Sequence, residues 1–361
     1  MSKKFDIFQK IFKKSAQAIP GKKVKQVIVP LGVILILGAA PVAYTLFNEK
    51  ASNGENQEAA IQEESEIQAR LLDGRLVSSD KANGLPVAIM IENKIESRPA
   101  SGLSRAGLVF EAPAEAGITR FLAVFDSRDE VAEIGPIRSA RDYYLDWAAE
   151  FGALYVHCGG SPQALKTIPS YPIYDLNEFY NALFFWRSAE RTAPHNLYSN
   201  SELLNKAIEQ KEVENKAAFE AWRFKDDFPA SIPQATKISI DFSIPQYKAV
   251  WVYTSDTNEY LRYHDNEAHE DKDGTSITAK NIAIMVTQAS VIDNEGRLNL
   301  ETLGKGKAWV FRDGGVLEAT WQKIDPESRL RFYDVTGREI EFNRGTTWVE
   351  VARDSWRVEY N

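Results

Sequence analysis

Apolar and polar positions fall into four regimes along the chain. Residues 27–47 run for 21 positions without a charged side chain. This is the length a helix needs to cross about 30 Å of hydrocarbon, so the run predicts a membrane span. Residues 48–75 are mostly Glu, Gln, Asn, Ala and Ser. Such a composition buries too little surface to offset chain entropy unless it forms a solvated helix, and it predicts a stalk. Short apolar runs bounded by Gly, Pro and Asn follow at 86–91, 107–110, 121–125 and 153–157, each with the length and composition of a strand. Beyond residue 234 the pattern turns to alternation, at 238–242, 249–253, 282–286, 308–311, 316–321, 331–333 and 348–351, with turn residues at hairpin spacing around Asp313 and Gly337.

Beyond the membrane span and the stalk, helices are predicted in the third regime only. Ser139 precedes Asp142 by three residues, and Tyr143, Tyr144, Trp147 and Phe151 follow at helical spacing, which predicts a helix starting at Ser139. Ser161 before Pro162 is an N-cap followed by a proline at the first helical position. Residues 202–224 read as one long helix or two, ending in the polar stretch 225–233 that marks a domain boundary. The predicted fold class is α+β. One transmembrane helix and the stalk lead to an N-terminal mixed α/β domain (76–228) and a β-rich, mostly antiparallel C-terminal domain (234–361).

Charge sets the orientation. Residues 1–26 hold eight lysines against Asp6, a net +7, which leaves −15 of the total −8 for everything else. The positive-inside rule keeps this tail cytoplasmic and the body on the far side. A cleaved signal peptide is the competing reading, but Pro41 directly follows Gly38, Ala39 and Ala40, which disfavours a cut there. An exterior this acidic argues against a nucleic-acid partner. Cys158 is the only cysteine, so no intramolecular disulfide exists and the body depends on its apolar core.

No nucleotide loop, zinc constellation or Gly-x-Ser-x-Gly elbow is present, so no motif commits the chain to a reaction or a cofactor. Candidate chemistry lies in four polar turns of the first body domain. Glu111, Glu115 and Arg120 could form an acid/base pair with a substrate clamp or an ion pair tying a loop to a strand. Arg138, Ser139 and Arg141 fall at a predicted helix start, where free N–H groups and two guanidinium forks suit a carboxylate or phosphate. His157, Gly159, Gly160 and Ser161 follow a predicted strand, the place where open α/β sheets bind ligands. There His157 reads as a general base or a hydrogen-bonded core histidine, and Ser161 as a nucleophile or a cap. Arg187, Arg191, His195 and Asn196 occupy a proline-marked aromatic loop that suits a sugar ring or an acidic group, or one packed by its own aromatics. A calcium-loop reading of Asp271 and Asp273 fails because the twelfth position is Ile282. Residues 264–273 then read as a polar hairpin turn, and no metal is expected.

The stretches Ile91 to Asn93, Arg98-Pro99, Glu111 to Phe121, Gly135 to Arg141, His157 to Ser161, Ala193 to Leu197, Tyr333 to Gly337 and Gly345 to Trp348 together resemble the YerB-like family, the bacterial domain of unknown function 3048. The resemblance covers about 76–351 and implies an α/β section followed by a β-rich section in an envelope-attached protein. It supplies no reaction. Its members are typically lipoproteins, whereas here no cysteine ends the apolar run. The resulting expectation is a membrane-anchored envelope protein that binds an anionic or carbohydrate-containing wall ligand through Arg120, Arg138 and Arg141. The alternatives are an acid/base hydrolase using Glu111, Glu115 and His157, and a protein-interaction scaffold.

Overall fold

The computed structural model describes residues 66–361. The expected basic tail (1–26), membrane span (27–47) and most of the stalk lie outside the described residues, among which no helix is long and apolar enough to cross a membrane. Residues 67–75, expected in the stalk, belong to the body. Ile67–Ala69 pairs with Leu76–Ser78, and Arg70, Leu72 and Asp73 are buried, with Arg70 donating 2.7 Å to Asp73.

The apolar runs that lack alternation become strands covered on both faces. In chain order the strands used below are β1 (Pro86–Glu92), β2 (Leu108–Pro113), β3 (Thr119–Asp126), β4 (Leu154–His157), β5 (Tyr174–Asn177), β6 (Lys237–Asp241), β7 (Lys248–Thr254), β8 (Glu259–His264), β9 (Asn281–Val286), β10 (Gly304–Arg312), β11 (Gly315–Lys323), β12 (Arg331–Asp334), β13 (Thr347–Ala352) and β14 (Val358–Tyr360). Ten of them form one mixed sheet in the order β12-β11-β10-β9-β13-β2-β3-β1-β4-β5. Strands β1, β4 and β5 run parallel, as do β9, β13 and β2, while β1-β3-β2 and β9 to β12 are antiparallel. A smaller antiparallel sheet contains β8-β7-β6-β14.

The large sheet crosses the chain's midpoint. Strand β13, near the C-terminus, lies between β9 and β2, so both halves of Ser65–Asn361 form a single compact unit. Side chains at successive positions divide between two cores. Val87, Ile89, Phe121, Trp348 and Ile284 pack against the small sheet, with Trp251 and Ile240. Ala88, Met90, Leu122, Phe110 and Val349 pack against Tyr144 and Trp147 of helix α1 (Asp142–Ala149) and Ala164 of α2 (Pro162–Thr167). Phe110 stacks on Trp147 at 5.0 Å.

Two helix predictions need correction. Helix α1 starts at Asp142 and not at Ser139, and its N-cap residue is Arg141, with no side-chain cap bond. Residues 138–140 are held extended because Arg138 N–H donates to the Met90 carbonyl and Ala140 N–H to that of Gly159. The expected helix over 202–224 is α3, Ser201–Gln210 only, capped by Asn200. Glu212 takes a left-handed φ of 55°, and Trp222 is then drawn onto Phe342, 4.4 Å away. Tertiary packing of that ring outweighs local helical preference.

Candidate functional site

The parallel strands β1, β4 and β5 end at Glu92, His157 and Asn177, and antiparallel β3 begins beside them, its second residue Arg120 being the register partner of Glu92. This end of the sheet collects most of the expected residues. Arg120 donates from Nη1 to the Ser139 carbonyl (2.8 Å), and its Nη2 stands 3.9 Å from Glu115. Arg141 is bonded to Glu115 through Nε and to the Ala140 carbonyl through Nη1 at 2.7 Å. Burial alone would raise the Glu115 carboxyl, but the Arg141 hydrogen bond and charge outweigh it and hold Glu115 below the usual range. Arg138 pairs with Glu92 at 3.1 Å, and the other oxygen of Glu92 meets His195 Nδ1 at 2.9 Å.

The turn after β4 interlocks with these groups. Cys158 N–H donates to the Arg138 carbonyl and Ser161 N–H to that of Ala140. Ser161 Oγ accepts the Ala164 N–H at 3.1 Å, so the capping reading holds and its hydroxyl is engaged. His157 is fully buried, with Nδ1 2.7 Å from the Gly159 carbonyl and Nε2 2.7 Å from Asp175. Cys158 faces Glu178, and burial together with that carboxylate pushes its thiol up to about 11. A thiol so placed is a poor nucleophile at neutral pH. Arg187 bridges Glu178 (3.2 Å) and Asn196 (3.1 Å).

Two expected residues stand apart. Arg191 is committed to structure, since Nη1 donates to Tyr198 Oη (3.0 Å) and to the Ser97 carbonyl, and Nη2 to that of Pro99. Glu111 does not converge with Glu115 and His157, because its place in β2 puts it on the face of Val109, toward the small sheet. Arg262 of β8 bonds its Oε2, and Oε1 accepts from Asn93 (3.2 Å) and Thr119 (2.5 Å). Its register partner on β13 is Glu350, which accepts from Trp251 at 2.8 Å. Burial and the neighbouring Glu111 raise the Glu350 carboxyl well above its ordinary range. Arg262 also donates to His269 at 2.7 Å, and burial followed by this guanidinium drives His269 far down, so it stays neutral. The residues expected as a polar hairpin turn thus include a buried histidine and a buried Asp271 that accepts the Ser104 N–H at 2.8 Å.

Glu92, Asp175 and Glu178 had no assigned role in the sequence reading. Glu92 ends β1 and Glu178 directly follows β5, where they pair with Arg138 and Arg187, while Asp175 lies near the start of β5 and meets His157. Arg138 and Arg187 each have their own acid while Arg120 and Arg141 share Glu115, so the cluster of Arg120, Arg141, Arg138, Arg187, Glu115, Glu92 and Glu178 retains one net positive charge. A cavity of about 560 Å³ lies at the other end of α1, by Glu150, Phe219 and Arg329.

Comparison with known proteins places the chain. Residues 72–214 match the protein of unknown function (DUF3048) N-terminal domain, and 238–349 match the corresponding C-terminal domain. The chain belongs to the DUF3048 family. It is 31% identical over 274 residues, 74% of this chain and 81% of the relative, to YerB of Bacillus subtilis (strain 168), described as a candidate lipoprotein. The crystal structure of YerB protein from Bacillus subtilis superposes with a TM-score of 0.74 at 28% identity, covering 81% of this chain and 99% of that one. In this DUF3048 protein the two matched domains contribute strands to one sheet, through β13 between β9 and β2.

Proposed function

We propose that this DUF3048 protein is an extracytoplasmic envelope protein, anchored by residues 27–47, that binds an acidic or carbohydrate-containing wall polymer at the end of the sheet where β1, β4 and β5 terminate. The carrying observation is that Glu115 with Arg120, Arg138 to Arg141, His157 to Ser161, and Arg187 with His195 and Asn196 interlock there. The description of its relative as a candidate lipoprotein agrees with an envelope location. Arginines already paired with acids favour recognition by hydrogen bonding over capture by bulk charge. Binding is favoured over hydrolysis because Glu111 is engaged on the opposite face of the sheet, His157 is buried between two oxygen partners, and the Ser161 hydroxyl is a helix cap.

The test keeps charge balanced. Arg138→Gln with Glu92→Gln removes one ion pair without orphaning the buried carboxylate. Retention of purified wall fragments by the full-length protein should fall at least several-fold. Undiminished retention by a folded variant rejects the site.

A further inference from the structure

The same end of the sheet carries a surface that the arginine turns do not use. After β5, Phe179, Tyr180 and Leu183 leave 65, 84 and 84% of their surface exposed. Phe179 lies over Gly159, where an added Cβ would stand 3.0 Å from its ring, and Leu165, also exposed, packs on Gly160. The exposed side chains of Leu165 and Phe179 therefore flank the glycine pair, and Tyr180 and Leu183 continue the patch along the chain.

The patch is held in place. Buried Asn177 accepts the Gly159 and Phe179 N–H groups through Oδ1 at 3.0 and 3.3 Å, Glu178 N–H donates to the His157 carbonyl, and Asn181 Nδ2 returns to the Asn177 carbonyl at 2.8 Å. Large apolar side chains fixed outward by a satisfied hydrogen-bond network mark an interaction surface. Its border is polar and close to neutral, with Glu178, Arg187, Asn196, Asn181 and the half-exposed Asp175 beside it.

We infer that this shelf seats the pyranose rings of a glycan, while the neighbouring arginine turns take the acidic group of the same polymer. The inference rests on the proposed function and names the ligand's second element. Aromatic faces cover the apolar face of a sugar ring, and the planar amide, carboxylate and guanidinium groups around them match adjacent hydroxyls as both donors and acceptors. The half-exposed Asp175 and the Glu178–Arg187 pair leave this border without the cluster of lysines and arginines that an anionic bilayer surface attracts.

The experiment uses the full chain in nanodiscs and two probes, peptide-free peptidoglycan glycan strands and the same strands carrying an acidic polymer. Phe179→Ala/Tyr180→Ala/Leu183→Ala, confined to exposed positions, should weaken binding of both probes about tenfold or more. The Arg138→Gln/Glu92→Gln variant should weaken only the acidic one. If the arginine-pair variant loses the acidic probe while the shelf variant keeps both, the shelf inference alone falls; if the wild type binds neither probe, the proposed function falls with it. Tyr180→Trp supplies a second readout. A fluorescence change on adding glycan supports the shelf, whereas quenching by brominated lipid assigns the surface to the bilayer and overturns the inference.

Discussion

Arg262→Met is the most demanding test of how the two halves are joined. The guanidinium is fully buried, bonds Glu111 and His269, stands 3.9 Å from Glu350, and lies 4.9 Å from the centre of the Trp348 ring. Methionine fills much of that aromatic box but leaves Glu111 with only Asn93 and Thr119 as donors. Breaking a buried pair by removing one partner costs about 3–5 kcal/mol. Escape by protonation is no cheaper, since neutralising an ordinary glutamate at pH 7 costs roughly 4 kcal/mol. Urea unfolding of residues 65–361, followed by tryptophan fluorescence and far-UV circular dichroism, measures the loss, with coincident curves required for a two-state reading. Adding Glu111→Gln should restore at least about 2 kcal/mol of it, because the amide leaves no orphaned charge. Additivity of the two substitutions within about 0.5 kcal/mol would refute the pairing as the source.

Four further outcomes are expected. Because the folded Glu350 carboxyl is raised, its contribution to stability is fully present below about pH 4.3 and is lost as pH rises through the folded value. Glu350→Gln should therefore gain on the wild type by up to about 1.4 kcal/mol per pH unit above that point, and a difference that stays flat between pH 5 and 8 sinks the assignment. Gly159→Ala should cost about 1–3 kcal/mol in urea unfolding, since φ is +60° and the new Cβ meets the Phe179 ring at 3.0 Å. Ser161→Ala should cost about 1 kcal/mol, the loss of one N-cap bond. Cys158, with its thiol pushed up to about 11, should react with iodoacetamide at pH 8 far more slowly than a free cysteine, and reach the free rate only on unfolding.

Periodicity determined much of this protein from the chain alone. Unbroken apolar runs such as 86–91 became strands covered on both faces, Ser161-Pro162 became a helix start, and most alternating runs after 234 became antiparallel strands, the exception being β13, which is parallel to both of its neighbours. These features depend on neighbours in sequence, which is what a period of two or a cap can encode. Strand β8 escaped that reading because one of its two buried side chains is the charged Arg262. The large sheet, with β13 inserted between β9 and β2, and the partition of Glu111 from Glu115 onto opposite faces were decided only by the tertiary fold. So was the partner of each predicted cation, Glu92 for Arg138 and Glu178 for Arg187, across 46 and 9 positions of chain. The candidate chemistry was legible as residue types in turns. Its pairing was not, because a salt bridge between distant residues depends on which strand ends the sheet order brings side by side.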